Sequence, residues 1–281
     1  MKFTKMHGLG NDFVLFDGRT ENIEQLNWEK LATKLCDRNF GIGADGVVLL
    51  LSSKKADCAM RVFNPDGSEP DMCGNAMRCL AKYVYDNSSE KKEVISVETR
   101  AGVRLPVVEA EKGHVQGIEV DMGEPILARS KIPMLGQEKA QVIGEELVIG
   151  QEKLKFTAVS LGNPHVVIFV DDVKKAEVAL LGPKIENHKQ FPQRTNVEFV
   201  QIFNKKEAAM RVWERGVGET LACGTGACAV LVAGVLNDLL ERIAVIHLSG
   251  GDLEIEWETE HDHVLMTGPA TTVFQGDINI I

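Results

Sequence analysis

No stretch of about 18 consecutive apolar residues occurs, so nothing in the sequence reads as a membrane-spanning helix. The opening residues, Met1-Lys-Phe-Thr-Lys-Met-His-Gly8, lack the apolar core of a secretory signal, and a cytoplasmic protein is expected. Basic clusters are missing too. With 31 Lys and Arg against 41 Asp and Glu, the net charge of −10 argues against a nucleic-acid partner. Metal-ligand spacing is also lacking. Cys73 and Cys79, like Cys223 and Cys228, are spaced more loosely than a zinc knuckle and have no histidine at partner spacing, so no metal is expected. A disulfide framework is not expected in a reducing compartment. Cys36 and Cys58 sit in apolar segments and read as small buried hydrophobes. No role for Cys79 or Cys228 is apparent.

What remains is an ordinary globular composition, 44% hydrophobic and 26% charged over 281 residues, enough for one large or two ordinary domains. The informative feature is an internal echo. Arg61-Val-Phe-Asn-Pro-Asp-Gly-Ser-Glu-Pro-Asp-Met-Cys-Gly-Asn75 lies 150 positions before Arg211-Val-Trp-Glu-Arg-Gly-Val-Gly-Glu-Thr-Leu-Ala-Cys-Gly-Thr225. Arg61 meets Arg211, Val62 meets Val212, Glu69 meets Glu219, Cys73 meets Cys223 and Gly74 meets Gly224, while Phe63 faces Trp213. Average residue usage gives roughly one such identity by chance. Leu9-Gly10-Asn11 echoes Leu161-Gly162-Asn163 in the same way. The chain reads as a duplicated unit, each copy carrying one Cys-Gly at the mouth of a helix.

Along the chain, residues 1–17 predict two strands around a Gly-Asn-Asp turn, and Asn27 is placed to cap a helix with Trp28, Leu31 and Leu35 inward. Gly41-Ile-Gly43-Ala-Asp-Gly46 matches a dinucleotide fingerprint, but a helix precedes it and a strand follows, the reverse of what that site needs. Strand 59–63 leads to the first cysteine and a helix from Gly74 to about Tyr85; strands 93–98, 103–109 and 114–121 then predict an antiparallel meander. Residues 131–146 look polar and irregular. In the second copy, strands 155–160 and 165–170, a helix at 173–181 ended by Gly182-Pro183, and strands 196–203 and 208–213 are expected. The segment 224–240 is apolar nearly all round, so it predicts a helix wrapped by sheet. Its start, Gly224-Thr-Gly226-Ala-Cys-Ala229, also resembles a nucleotide fingerprint, but Gly216-Val-Gly218 before it makes a poor parallel strand. Strands 243–249, 252–258, 263–267 and 273–281 complete the chain. The domains are expected over 1–121 with 270–281, carrying Cys73, and over 122–269, carrying Cys223.

The free N–H groups and dipole of a helix's first turn favour an anion and lower a thiol's proton affinity. Two such mouths suit removal of a proton from one face of a carbon and return of one to the other. The N–H groups of Gly74-Asn75 and Gly224-Thr225 would stabilise charge spreading into an α-carboxylate.

His7-Gly-Leu-Gly-Asn11-Asp-Phe, Met72-Cys-Gly-Asn-Ala-Met-Arg-Cys79, Gly162-Asn-Pro-His165 and Glu214-Arg-Gly…Glu219-Thr-Leu-Ala-Cys-Gly-Thr-Gly226 together resemble the diaminopimelate epimerase family, in its order and over essentially the whole chain. The resemblance implies an α+β fold of two pseudo-symmetric domains, each a mostly antiparallel sheet wrapped round a central helix, with the active site in the cleft between them. It implies interconversion of LL- and meso-2,6-diaminopimelate without a cofactor, in a homodimer. It marks Cys73 and Cys223 as the acid/base pair and Gly74, Asn75, Gly224 and Thr225 as the α-carboxylate cradle. Asn11, Asn64, Asn163, Asn196, Glu214 and Arg215 become the wall for the distal amino-acid end, with His165 and Glu214 assisting at the reacting centre. Asn11 and Asn163 also fit plain turn residues after Leu-Gly, and His165 fits an ordinary strand start. A racemase or isomerase of another small amino acid, or a thiol-sensing binding protein, would use the same helix mouths.

Overall fold

The computed structural model describes residues 1–19, 23, 25–136, 140–150 and 152–279. Two compact units emerge, Met1–Asp121 with Thr267–Ile281, and Met122–Met266. In the first, strands β1 (Lys2–Gly8) and β2 (Asn11–Asp17) form a hairpin, followed by helix α1 (Trp28–Cys36), β3 (Gly46–Leu51), β4 (Cys58–Phe63), helix α2 (Gly74–Asn87), β5 (Val97–Thr99), β6 (Gly102–Arg104), β7 (Val107–Glu111) and β8 (His114–Asp121). The second unit holds β9 (Val142–Ile149), β10 (Glu152–Ser160), β11 (Pro164–Phe169), helix α3 (Val178–Glu186), β12 (Asn196–Asn204), β13 (Glu207–Glu214), β14 (Gly218–Thr220), helix α4 (Gly224–Leu236), β15 (Ile243–Leu248) and β16 (Gly251–Trp257); the chain passes back to the first unit within β17 (Val264–Gly268) and ends in β18 (Thr271–Asp277). Among the described residues one 3-10 turn lies at Arg129–Lys131.

The duplication in sequence is a duplication of pairing. In the first unit β1–β2 is antiparallel, β2–β3 parallel, β3–β4 antiparallel, β4–β5 parallel and β5–β6 antiparallel. In the second, β10–β11, β11–β12, β12–β13, β13–β15 and β15–β16 repeat that alternation step for step. Even the echoed ion pair recurs, Arg61–Glu69 at 2.8 Å and Arg211–Glu219 at 2.7 Å.

Each sheet is covered on both faces, which is why its central strands read as unbroken apolar runs. In the first unit Val14, Phe16, Val47, Leu49 and Leu51 pack with Trp28 and Leu35 of α1. The alternate residues of β2 and β3 point to the opposite face, where α2 packs. Asn27 caps α1 by accepting the Lys30 N–H at 3.1 Å. In the second unit Phe156, Val166, Ile168, Val197 and Phe199 pack with Leu181 and Ile185 of α3. There α4 lies against β10, β11, β12, β13, β15 and β16. Its Ala227, Val230, Leu231 and Val232 are fully buried, so it is held by tertiary burial, each such Val or Leu contributing about 1.5–3 kcal/mol.

Several boundaries differ from the sequence expectations, each for a local reason. The first turn is Leu9-Gly10, both at positive φ (58° and 87°), so Asn11 begins β2 instead of making the turn. The expected strand 103–109 is two strands, because Pro106 has no N–H to donate and the chain breaks there. Residues 93–96 contribute only a bridge from Val94 to Val107. The helix expected at 173–181 runs instead over Val178–Glu186, with Gly182 and Pro183 inside it. The helix expected to reach Leu240 stops at Leu236, where Asp238 turns to φ 55° and Leu240 folds back onto Gly234. The segment read as irregular runs into β9, of whose residues only Val142, Leu147 and Ile149 are buried; residues 137–139 lie outside the described residues. The expected last strand ends at Asp277, and residues 280–281 are likewise outside.

Candidate active site

Both echoed cysteines stand immediately before a helix. Cys73 precedes Gly74 of α2 with φ −142° and ψ 119°, and Cys223 precedes Gly224 of α4 with φ −126° and ψ 106°. These are extended conformations, and neither side chain caps its own helix. In each case the carbonyl accepts the first helical hydrogen bond, from Met77 at 2.9 Å and from Ala227 at 3.0 Å. The N–H groups ahead of those residues therefore have no acceptor within their helix. Gly74-Asn75 and Gly224-Thr225 occupy those positions.

In the first unit Asn75 donates from Nδ2 to Asn11 Oδ1 at 2.9 Å, and Asn11 donates to Asp45 Oδ2 at 3.0 Å. Asp45 also takes the Asp12 N–H at 3.1 Å, while Asp12 is paired with Lys5 at 2.6 Å and with Arg38 at 2.8 Å. Burial raises the Asp12 carboxyl, but Arg38 and Lys5 outweigh it and hold the group down at about 2. The glycine-rich stretch before β3 thus serves as a turn delivering Asp45, which fixes Asn11 against the helix mouth. Asn75 is 6% exposed, and among the described residues its buried Oδ1 has no hydrogen-bond partner. Asn64 is engaged differently: its Nδ2 donates to Ser68 Oγ at 2.9 Å, and its backbone closes the turn to Ser68.

The second unit gathers more of the candidates. Thr225 Oγ1 lies 3.6 Å from the Cys223 sulfur and accepts from Asn163 Nδ2 at 3.1 Å. Asn163 Oδ1 is 3.0 Å from His165 Nε2, and His165 Nδ1 is 2.7 Å from Glu198 Oε1. His165 and Glu198 are completely buried. Gly226 permits this, since a Cβ there would fall 2.9 Å from Glu198 Oε1. Asn196, 4% exposed, spends both ends of its amide on backbone: Oδ1 accepts the Arg215 N–H at 2.9 Å, and Nδ2 donates to Pro164 O at 2.9 Å. It clamps the Glu214-Arg215 corner to the start of β11. Arg215 reaches Gln193 O at 3.1 Å with its guanidinium exposed. Glu214 accepts from the Thr220 hydroxyl.

Burial raises the Glu214 carboxyl. Burial also pushes the Cys223 thiol well above its ordinary value, the carboxylates of Glu214 and Glu198 add to that, and the Thr225 hydroxyl and Gly226 N–H work in the opposite direction. Cys36, Cys58 and Cys79 are pushed by burial to about 11, about 12 and about 12, which makes them inert packing groups.

A sequence model of the family described as "Diaminopimelate epimerase" matches residues 3–128 and 157–273. The chain belongs to the diaminopimelate epimerase family. It is 56% identical over 277 residues to the diaminopimelate epimerase of Pelotomaculum thermopropionicum, covering 99% of this chain and 98% of that one. It is 51% identical over 280 residues to that of Heliobacterium modesticaldum, covering 99% of each. Among solved structures, a probable proline racemase from Agrobacterium radiobacter K84 superposes with a TM-score of 0.72 at 17% identity, over 100% of this chain and 93% of that one. At that identity the likeness is one of fold: two sheet-rich halves with few helices. The residues that the family model matches include both helix mouths. Glu198 and Asp45 escaped the sequence reading. A carboxylate inside the apolar run Val197-Glu198-Phe199-Val200 is the signal that points to a buried, partnered group.

Proposed function

We propose that the chain interconverts LL- and meso-2,6-diaminopimelate by moving a proton at one α-carbon between Cys73 and Cys223. One sulfur, as thiolate, takes the α-proton and becomes S–H, and the C–H electron pair spreads into the α-carboxylate. The other thiol gives its proton to the opposite face of the carbon and becomes the thiolate, so charge and protons balance and no cofactor enters. The observation carrying this reading is the pairing of equivalents: two cysteines at matching points of a duplicated fold, each in extended conformation before a Gly-led helix whose first-turn N–H groups have no acceptor within the helix. Those N–H groups suit the developing negative charge.

Cys223 is the thiol in one direction and the thiolate in the other, and its burial and the Glu214 carboxylate favour the thiol form. The unpartnered Asn75 Oδ1 suits an ammonium group, and the exposed Arg215 guanidinium suits a distal carboxylate. The sequence domains, 1–121 with 270–281 and 122–269, would then supply one thiol each, in a cytoplasmic homodimer with no nucleic-acid or membrane partner. Incubation with each diaminopimelate isomer, followed by chiral separation, tests the assignment. The same LL/meso ratio reached from both sides supports it, and no interconversion rejects it.

A further inference from the structure

The buried pair His165–Glu198 sits behind the mouth of α4, and neither residue is spent on packing alone. We propose that Glu198 is a positioning residue that fixes the direction of a hydrogen-bond chain running through His165, Asn163 and Thr225 to the Cys223 sulfur. The proposal rests on Cys223 being an acid/base group, as argued above.

The direction follows from the partners. Asn163 Oδ1 can only accept, and it lies 3.0 Å from His165 Nε2, so that nitrogen carries a proton. Glu198 Oε1 is 2.7 Å from Nδ1, and among the described residues the buried Glu198 Oε2 has no other partner. An ionised carboxylate there beside a neutral ring would be an uncompensated buried charge. Both observations require the pair to hold two protons and be neutral as a whole. Asn163 Nδ2 then donates to Thr225 Oγ1, which leaves the single Thr225 hydroxyl proton to point at the Cys223 sulfur, 3.6 Å away. The sulfur is offered a donor whether or not it holds its own proton. With one proton fewer on the pair, Nε2 becomes an acceptor and the Asn163 amide must turn over. Its oxygen then captures the Thr225 proton, and the sulfur loses that donor.

The groups facing this chain come from four elements: His165 from β11, Glu198 from β12, Glu214 from β13 and Cys223 before α4. Glu214 bears on both His165 and Cys223. It is itself anchored by Thr220.

Glu198→Met is close in volume but leaves His165 Nδ1 without the partner at 2.7 Å, so nothing holds the proton on Nε2 and the chain loses its direction. The two electrostatic accounts of Glu198 predict opposite signs. Removing a bare carboxylate near a thiol would speed iodoacetamide alkylation of Cys223, whereas removing the director of the chain slows it, about tenfold for one charge-assisted hydrogen bond. Alkylation of the full-length protein is followed from pH 7 to 9, with the Cys223 peptide quantified by mass spectrometry. The proposal expects slower labelling in E198M, similar slowing in Thr225→Val, and no further slowing in the double variant. It also expects the wild-type 15N spectrum to show a proton on His165 Nε2, a measurement that stands even if E198M fails to fold. Faster or unchanged labelling in E198M, additive slowing in the double variant, or an unprotonated Nε2 would overturn it. None of these readouts needs turnover, so they succeed or fail apart from the epimerase reading.

Discussion

Gly182 lies directly against the ring of Trp213: a Cβ on the glycine would fall 2.5 Å from Trp213 Cγ. Helix α3 therefore meets β13 through bare backbone. From the same helix, Glu186 accepts the Trp213 Nε1–H at 2.7 Å and the Gly216 N–H at 2.9 Å. Residues 213–216, which include Glu214 and Arg215, are thus positioned by α3. Gly182→Ala is expected to cost about 1–3 kcal/mol through overpacking and to lower turnover by displacing Glu214. Urea unfolding and steady-state kinetics check both; an unchanged midpoint with unchanged kcat would refute the packing account.

The two cysteines are expected to be separately indispensable. Cys73→Ser and Cys223→Ser each keep the shape of the site but lose a sulfur, and turnover should fall by at least about 10²–10⁴, the usual contribution of a positioned acid or base. Substrate binding by calorimetry should persist in both. Near-wild-type turnover in either variant removes that cysteine from the reaction.

Leu231 is fully buried in the middle of α4, a helix with no polar face. Leu231→Ala is expected to lower the unfolding free energy by about 2–5 kcal/mol. Denaturant titration measures this directly, and a loss below about 1 kcal/mol would mean that the helix is not the core of its unit.

His247 predicts a pH-dependent contribution to stability. Its Nδ1 lies 2.7 Å from Asp252 and its Nε2 2.9 Å from Glu207. Burial works against the charged ring, but the two carboxylates outweigh it, and the proton is held more tightly than usual. A raised folded value gives stability that is fully present below the unfolded value of about 6.5 and is lost as pH rises through the folded one. The stability gap between wild type and His247→Gln should therefore be larger at pH 5.5 than at pH 9. A gap independent of pH would contradict the pairing.

Legibility in the sequence followed physical scale. The repeat, the Asn27 cap and the buried α4 were readable because each is local: matched residues, a capping amide, an apolar run. Pro183 misled because Pro usually ends a helix, and the close approach of Gly182 to Trp213 that keeps α3 going is a tertiary contact. β9 was hidden because three buried side chains in eight leave too weak an alternation. In the candidate site, the cysteines and the asparagines on the Leu-Gly turns could be named from spacing and family likeness. Glu198 and Asp45 could not, since their partners, His165 and Asn11, reach them only through parallel strand pairing and a long loop.

Solvent-deuterium incorporation at the α-carbon is the most direct test of proton exchange between two thiols. With LL-diaminopimelate in D2O, the purified protein with no added cofactor should yield meso product carrying one deuterium at the inverted carbon, followed by mass spectrometry and proton NMR. Product formed without deuterium, or an α C–H left untouched at high enzyme concentration, would contradict the account.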